Sequence, residues 1–341
     1  MKAAIYYELA NVPIEEIPTP KITPDDVLVN MKASGICGSD LMEWYQKPRA
    51  PIVLGHEPSG IIVKAGKKVK GFSVGDRIFT HHHVACLNCY FCQRGAFTLC
   101  TRFQETHLDP GGFAEYFRVP SANLYVDTLQ IPENVSFEEA TLIEPIACGI
   151  RALGKCNIQP SDSVLVFGAG PSGLILTKLL RAFGAGEIIV TDPIDYRLKA
   201  AKRFEADLTI NPEKDSLIDA VKGVTAGRGT DQVIVTAPSL NAYISAIELC
   251  RKGGAICVFA PTNREDFLKI SPHKLFFSEV KITSSYSASH VETRTALNLI
   301  KSGRLRAKEL ITHTFPLSQT SNALQKASTK ECIKVVIVNE Y

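Results

Sequence analysis

Residues 164–176, VLVFGAGPSGLIL, constrain the fold more than any other stretch. They follow the pattern G-x-G-x-x-G between an apolar run typical of a strand and one typical of a helix. The first glycine allows a tight turn, the second lets a pyrophosphate approach the backbone, and the third lets helix and strand pack closely. The glycines alone would also fit an ordinary turn, but their context predicts a dinucleotide-binding site. Its residues are Gly168, Gly170, Pro171, Ser172 and Gly173.

The next strand predicts which dinucleotide binds. EIIVTD ends in Asp192, nineteen residues after Gly173. A carboxylate there accepts hydrogen bonds from the adenosine ribose and repels a 2′-phosphate, which favours NAD over NADP. The alternative is that Asp192 only caps the following helix. Arg197, five residues on, either flanks the ribose or is solvated at the surface.

The arrangement of elements predicts two domains of different class. Residues before about 136 form short apolar runs separated by glycine and proline, which is typical of a barrel-like β domain. The stretch SFEEATLIEPIACGIRAL has helical spacing, and Ser136 and Glu139 form a possible capping box at its start. Strand-like and helix-like runs then alternate, which predicts a parallel sheet with crossover helices. Two helical stretches and KVVIV follow, and they could rejoin the first domain. The predicted domains are 1–151 with 287–341, and 152–286.

Composition and charge exclude several classes of function. A formal net charge of +3 with no basic, aromatic-rich stripe argues against nucleic acid as a partner. The chain contains no stretch of about 18 apolar residues, so no membrane span is expected. The first residues do not resemble a signal peptide, and we expect a cytoplasmic protein. Ten cysteines in that reducing compartment are expected to be thiols or metal ligands rather than disulfides.

Four of these cysteines form a compact cluster with the spacing C-x2-C-x2-C-x7-C, and they are Cys86, Cys89, Cys92 and Cys100. Four thiolates suit tetrahedral zinc and leave no coordination position open, so this metal is expected to be structural. An iron–sulfur cluster is the alternative. It is disfavoured because the last gap is long and Thr101 follows where a proline is usual.

Three further stretches carry metal-ligand side chains: GICGSDL with Cys37, LGHEPSG with His56 and Glu57, and LIEPIAC with Glu144. Taken singly, a buried cysteine also fits a core and a lone glutamate also fits a helix cap. Together with the four-cysteine lobe and VFGAGPSGL, these motifs resemble the zinc-dependent medium-chain dehydrogenase/reductase family. The resemblance covers essentially the whole chain, and the chain is most similar to the sorbitol (polyol) and threonine dehydrogenase branch.

The resemblance implies a GroES-like β-barrel catalytic domain plus a Rossmann doubly wound parallel-sheet domain. It implies two Zn²⁺ per chain, NAD as cofactor, and a dimer or tetramer of identical chains. The catalytic zinc would be held by Cys37 and His56, with Glu57 and Glu144 as direct or water-mediated partners. Asp40 would fix the tautomer of His56.

The resemblance also assigns the groups that move the proton. Ser39 matches the hydroxyl that takes the substrate proton. Many relatives have a proton-relaying histidine where this chain has Met42, which cannot transfer a proton. Glu43, a cofactor hydroxyl or a water chain would have to substitute, and Glu43 is the candidate residue.

The expected reaction is transfer of a hydride to NAD from a secondary alcohol of a polyol, sugar alcohol or cyclitol, giving the ketone. His83, just before the lobe, and His107 are the candidate substrate contacts. The alternatives are L-threonine 3-dehydrogenase or another zinc alcohol dehydrogenase, and, outside enzymes, an inactive zinc scaffold or binding protein.

Overall fold

The computed structural model describes residues 1–329 and 331–340. Its strands are β1 (Lys2–Tyr6), β2 (Ile14–Glu16), β3 (Val27–Gly35), β4 (Ile52–Val53), β5 (Glu57–Ala65), β6 (Arg77–Thr80), β7 (Tyr116–Val119), β8 (Thr128–Gln130), β9 (Val164–Phe167), β10 (Ile188–Thr191), β11 (Leu208–Ile210), β12 (Thr230–Val235), β13 (Cys250–Val258), β14 (Lys281–Ser284), β15 (Ile311–Pro316) and β16 (Lys334–Val338). Its helices are α1 (Glu43–Gln46), α2 (Ser121–Asp127), α3 (Phe137–Ala140), α4 (Ile143–Cys156), α5 (Pro171–Ala182), α6 (Asp195–Arg203), α7 (Leu217–Val224), α8 (Leu240–Leu249), α9 (Pro272–Ser278), α10 (His290–Lys301) and α11 (Thr320–Ser328).

The chain divides into two compact units. The first combines residues 1–147 with the chain from Ala288 onward, and the second is Cys148–Ser287. The chain passes from the first unit to the second within helix α4. The helical pattern of the sequence is continuous there, so it gives no sign of this boundary. The sequence predicts domain boundaries after residues 151 and 286, and these boundaries remain predictions.

The first unit is a GroES-like β structure built around strand β3. This strand pairs antiparallel with β5 along its whole length, while its other edge is shared by β7 and β16. β6, β8 and β15 complete the seven-stranded sheet, and β2-β1-β4 form a smaller one. Large side chains fill the core, among them Tyr6, Met31, Phe113 and Phe117, all essentially inaccessible to solvent.

Antiparallel pairing of β3 brings three strand ends together. Gly35, the last residue of β3, pairs with Glu57, the first residue of β5, and with Val336 of β16. A Cβ on Gly35 would overlap the Glu57 carboxylate, so only glycine leaves space for that side chain. The turn after β3 carries Cys37, so this edge of the sheet collects several of the predicted ligands.

The second unit is a Rossmann sheet in the order β11-β10-β9-β12-β13-β14, with every pairing parallel. Strand β9 is fully buried, as expected for a parallel sheet covered on both faces. Helix α5 begins with Pro171 in its first turn. β11, α7 and α9 have short, interrupted patterns that do not predict a strand or helix from the sequence.

One predicted helix proved to be two. The run from residue 136 begins with the expected capping box between Ser136 and Glu139, but α3 ends at Ala140 and α4 starts at Ile143. Within residues 1–329 and 331–340, no helix combines the length and the apolar character needed to cross a bilayer.

Candidate active site

Cys37, His56 and Glu57 come together at the strand ends of the first unit. Each offers one ligand atom, and these atoms all lie within 4.8 Å of one another. Zinc binds thiolate, imidazole and carboxylate ligands, so a zinc ion fits this donor set. The residues are far apart or merely adjacent in sequence, and the pairing of β3 with β5 is what joins them.

Asp40 connects two of these residues. One oxygen of its buried carboxylate accepts a hydrogen bond of 3.0 Å from the Cys37 backbone N–H, and the other lies 3.4 Å from His56 Nδ1. The contact at Nδ1 leaves Nε2 of His56 for a metal. Burial acts to lower the pKa of His56, but Asp40 and Cys37 raise it well above its ordinary value of 6.5. A proton must therefore leave His56 when it acts as a ligand.

Glu57 forms a buried ion pair that the sequence did not reveal. Lys334 Nζ lies 2.5 Å from Glu57 Oε2, with both side chains at most 3% exposed, and donates to the Ile36 carbonyl at 2.9 Å. Among the described residues, neither Glu57 oxygen finds a well-aligned hydrogen-bond donor, so charge is what holds this pair. Burial raises the pKa of Glu57, and Lys334 opposes that rise. Burial acts to lower the pKa of Lys334, yet Glu57 raises it above 10.5.

Glu144 lies in the first turn of α4 and is buried, but it is not one of the three clustered ligands. Its Oε1 lies 3.9 Å from His81 Nε2, and its charge acts on Glu57. The structure thus places Glu144 near the cluster without making it a fourth member.

The residues predicted to move the proton lie just after Cys37. Ser39 is in a short 3₁₀ turn, Gly38–Leu41, and is partly exposed. Met42 ends that turn, and Glu43 begins α1 with an exposed side chain. Burial raises the pKa of Tyr6, and the negative charge of Glu43 raises it further. The role of Glu43 remains a prediction.

A row of imidazoles leads away from His56. Ring centroids are 4.8 Å apart from His56 to His82, 4.1 Å from His82 to His83 and 5.1 Å from His83 to His107. His83 is buried and its Nδ1–H donates to the Thr106 carbonyl at 2.7 Å, which leaves Nε2 as an acceptor. His107 is exposed.

The rings of His82, His83 and His107 are neutral at physiological pH. Burial and neighbouring histidines hold the pKa of His82 well below 6.5. Burial lowers the pKa of His83 to about 3. Although His107 is exposed, partial desolvation of its ring and the charge of Arg49 lower its pKa. A neutral imidazole has one donor and one acceptor, so the row suits a ligand with several hydroxyl groups.

The four lobe cysteines are gathered as the spacing predicts. Their sulfur atoms all lie within 4.8 Å of one another, and the Cys86 backbone N–H donates to the Cys100 sulfur at 3.2 Å. A backbone N–H near Cys92 helps lower the pKa of Cys89 to about 6. Phe97 and the buried Phe103 pack against the cluster. Four such thiols fit a zinc ion with no open position.

The glycine turn of the second unit has the features that let a dinucleotide approach the backbone. Gly168 has φ +98°, a conformation that favours glycine, and a Cβ on Gly173 would overlap the Gly168 carbonyl oxygen. Asp192 Oδ2 accepts a hydrogen bond of 2.8 Å from the Ala169 N–H. Arg197 Nη1 lies 3.9 Å from the same oxygen. Asp192 thus fixes the turn, and Oδ1 accepts from Ile194 as well.

The fold and these sites define a zinc-binding dehydrogenase. Comparison with known proteins supports this class: the family described as "Alcohol dehydrogenase GroES-like domain" matches residues 23–132, and "Zinc-binding dehydrogenase" matches residues 171–302.

Three proteins illustrate the similarity. Sorbitol dehydrogenase from Bacillus subtilis is 33% identical over 99% of this chain and 97% of its own length. D-xylulose reductase A from Aspergillus oryzae is 31% identical over 96% of this chain and 93% of its own. The structure of alcohol dehydrogenase TADH from Thermus sp. ATN1 aligns with a TM-score of 0.90 at 28% identity, covering 100% of both chains. The chain belongs to the zinc-binding alcohol dehydrogenase family and is an oxidoreductase acting on CH–OH groups.

Sequence reasoning missed Lys334 and His81. Lys334 is a charged residue at the start of the apolar strand KVVIV, which was a usable sign of a buried partner. His81 gave no such sign, because three successive histidines do not show which ring is buried among carboxylates.

Proposed function

We propose that this protein oxidises a secondary alcohol of a polyol, sugar alcohol or cyclitol to the ketone, with NAD as hydride acceptor. The alcohol loses a hydride to NAD and a proton to the protein, giving ketone, NADH and H⁺. The observation that carries the proposal is the grouping of Cys37, His56 and Glu57 within 4.8 Å. A bound zinc there supplies a Lewis acid for the substrate oxygen, and NAD supplies the hydride acceptor.

The residues of the chain have distinct tasks in this reaction. Cys37 and His56 hold the metal, Asp40 orients His56, and Glu57 is kept charged by Lys334. Ser39 accepts the proton of the substrate hydroxyl. Glu43 then passes it toward solvent, because Met42 has no group that can.

A polyol is favoured because of the imidazole row His56, His82, His83 and His107. The neutral rings of His82, His83 and His107, at spacings of 4.1 and 5.1 Å, offer several hydrogen-bonding positions beyond the reacting carbon. A polyol has further hydroxyl groups that can donate to His83 Nε2, whereas a simple apolar alcohol has none. The names of the sorbitol and xylulose relatives support the same substrate class.

A substrate panel tests the proposal. Sorbitol, xylitol, D-arabinitol, myo-inositol, L-threonine and propan-2-ol are each assayed with NAD and with NADP, following absorbance of the reduced cofactor. We expect a polyol with NAD to give the highest kcat/KM. Turnover only of L-threonine or of propan-2-ol would show that the substrate class is wrong. No NAD binding and a single zinc per chain would favour the inactive scaffold.

The contribution of His83 is tested by its truncation. His83→Ala is expected to raise KM for the preferred polyol about tenfold and leave KM for propan-2-ol nearly unchanged, since only the polyol uses the extra contact. His313→Ala, at a half-buried histidine of β15, is the matched control. Equal losses for both substrates would remove His83 from substrate recognition.

We further propose that the protein forms a homo-oligomer through the edge of its Rossmann sheet. β14 is an edge strand whose side chains are mostly exposed, and Phe276 and Phe277 nearby are 76% and 65% exposed. An unpaired edge with exposed aromatics favours pairing with the same strand of a second copy across a two-fold axis. Light scattering should give a mass of two or four chains, and Ile282→Lys should reduce it. An unchanged mass in that variant would contradict this interface.

We propose a cytoplasmic location. None of the ten cysteines, all of which lie in the described part of the chain, forms a disulfide, as suits a reducing compartment. Cell fractionation followed by immunoblotting tests this, and recovery outside the cytoplasmic fraction would contradict it.

A further inference from the structure

His81 is the one member of the histidine triplet that the proposed reaction leaves without a task. Its ring is completely buried between two carboxylates: Nδ1 faces Asp127 and Nε2 faces Glu144. Nδ1 lies 3.4 Å from Asp127 Oδ2 and Nε2 lies 3.9 Å from Glu144 Oε1. A buried imidazole flanked by a carboxylate at each nitrogen forms a row of three polar groups.

The backbone around His81 is fixed independently of its ring. The His81 N–H donates to the Asp127 carbonyl at 3.0 Å. Asn123 Nδ2 donates to the carbonyls of His81 and His82, both at 2.9 Å. The ring is therefore held at a defined position between α2 and α4.

Asp127 in turn is anchored by the C-terminal part of the first unit. Its Oδ1 accepts a hydrogen bond of 2.6 Å from Thr293 Oγ1, and Arg294 Nη1 lies 3.8 Å from the same oxygen. Thr293 and Arg294 belong to α10, whereas Glu144 belongs to α4. The row thus connects a helix near the metal ligands to a helix of the returning chain.

We propose that His81 is a positioning residue that fixes the Glu144 carboxylate beside the Cys37–His56–Glu57 cluster, with Asp127 and Thr293 fixing His81. This rests on the proposed metal site and deepens it. Contacts at 3.4 and 3.9 Å are longer than good hydrogen bonds, so His81 orients Glu144 by polar contact and packing. Partners behind a metal site commonly change metal affinity 10- to 100-fold, roughly, when removed.

The test measures metal affinity of the catalytic site, with a chelator competing for zinc and with the visible spectrum of the Co²⁺-substituted site. His81→Leu is expected to weaken zinc at this site about 10- to 100-fold. Zinc in the Cys86–Cys100 lobe should be retained. His81→Gln, which keeps an N–H donor toward Glu144, should restore most of the affinity. His313→Leu, at a half-buried histidine of β15, is the control for loss of a ring.

A double-mutant cycle separates positioning from a general structural role. If His81 acts through Glu144, then His81→Leu should have little further effect in a Glu144→Ala background. Additive losses of affinity, or no loss in His81→Leu, would overturn the proposal. If His81→Leu does not fold, Asp127→Asn combined with Glu144→Ala provides the cycle instead. An enzyme that oxidises no polyol but shows this coupling would refute the proposed substrate and leave this inference intact.

Discussion

Replacing Lys334 by methionine tests how the buried charge of Glu57 is tolerated. Lys334→Met keeps the apolar stem but removes the cation 2.5 Å from a carboxylate that is 0% exposed. The free energy of unfolding of the first unit should fall, because the remaining charge cannot reach water. The contact between Lys334 and the Ile36 carbonyl is lost as well.

The size of the effect follows from the geometry. At 2.5 Å and an effective dielectric constant of about 20, the Coulomb attraction is roughly 7 kcal/mol, before subtraction of the desolvation of both groups. Removing one partner of a buried pair destabilises proteins by ~3–5 kcal/mol, and we expect that range here. The double variant Glu57→Gln with Lys334→Met should recover most of this loss, because it leaves no buried charge.

Urea unfolding followed by tryptophan fluorescence measures the stability of the first unit, because Trp44, the single tryptophan, lies in it. Metal-free protein is used so that a bound cation does not compensate for the lost lysine. Lys64→Met, at an exposed lysine of β5, is the matched control and should change stability by at most ~0.5 kcal/mol. Because the pKa of Lys334 is raised, its stabilisation should be present below pH 10.5 and lost above it. A loss below about 1 kcal/mol in Lys334→Met would refute the reasoning.

Three further predictions concern the cofactor, the proton and the second unit. Asp192→Ala should raise KM for NAD about tenfold or more, because the acceptor for the adenosine ribose is lost. The preference for NAD over NADP should become smaller, because the repulsion of a 2′-phosphate is lost too. Unchanged KM values for both cofactors would contradict this role of Asp192. Glu43→Gln should slow turnover at low pH more than at high pH if Glu43 relays the proton, and an unchanged pH–rate profile would remove it from the mechanism. Asp231 is half-buried beside Ser163 and Arg251, whose hydrogen bonds outweigh the effect of partial burial and lower its pKa to about 2. Its stabilisation should be present above pH 3.8 and lost as pH falls toward 2, so Asp231→Asn should be destabilised by ~1–2 kcal/mol at pH 6 and by less at pH 3, measured by thermal unfolding.

The parts of the fold with local signals were predictable from the sequence. The glycine turn, the apolar strand β9 and the helix after it follow from residue periodicity and from steric limits at three glycines. The cysteine lobe follows from spacing alone, because four thiols within fifteen residues can close around one ion. Helix α4 was expected, but the break after Ala140 was not, since the apolar pattern continues across it.

The contacts across the sheet could not be predicted in the same way. That Gly35, Glu57 and Lys334 meet depends on the pairing of β3 with both β5 and β16, which no short-range pattern specifies. The grouping of Cys37 with His56 was expected only from the family resemblance. The position of His81 depends on the register of β6 relative to α2 and α4, so it became visible only with the structure.

Zinc content is the most direct test of the proposed metal centre at Cys37, His56 and Glu57. The wild-type protein, purified without added metal and measured by mass spectrometry, should hold two zinc ions per chain and reduce NAD with a polyol. His56→Ala should hold one zinc and have no measurable activity, because the cluster loses its imidazole ligand while the lobe cysteines are untouched. If His56→Ala retained two zinc ions and still produced NADH, the metal centre proposed at Cys37, His56 and Glu57 would be wrong.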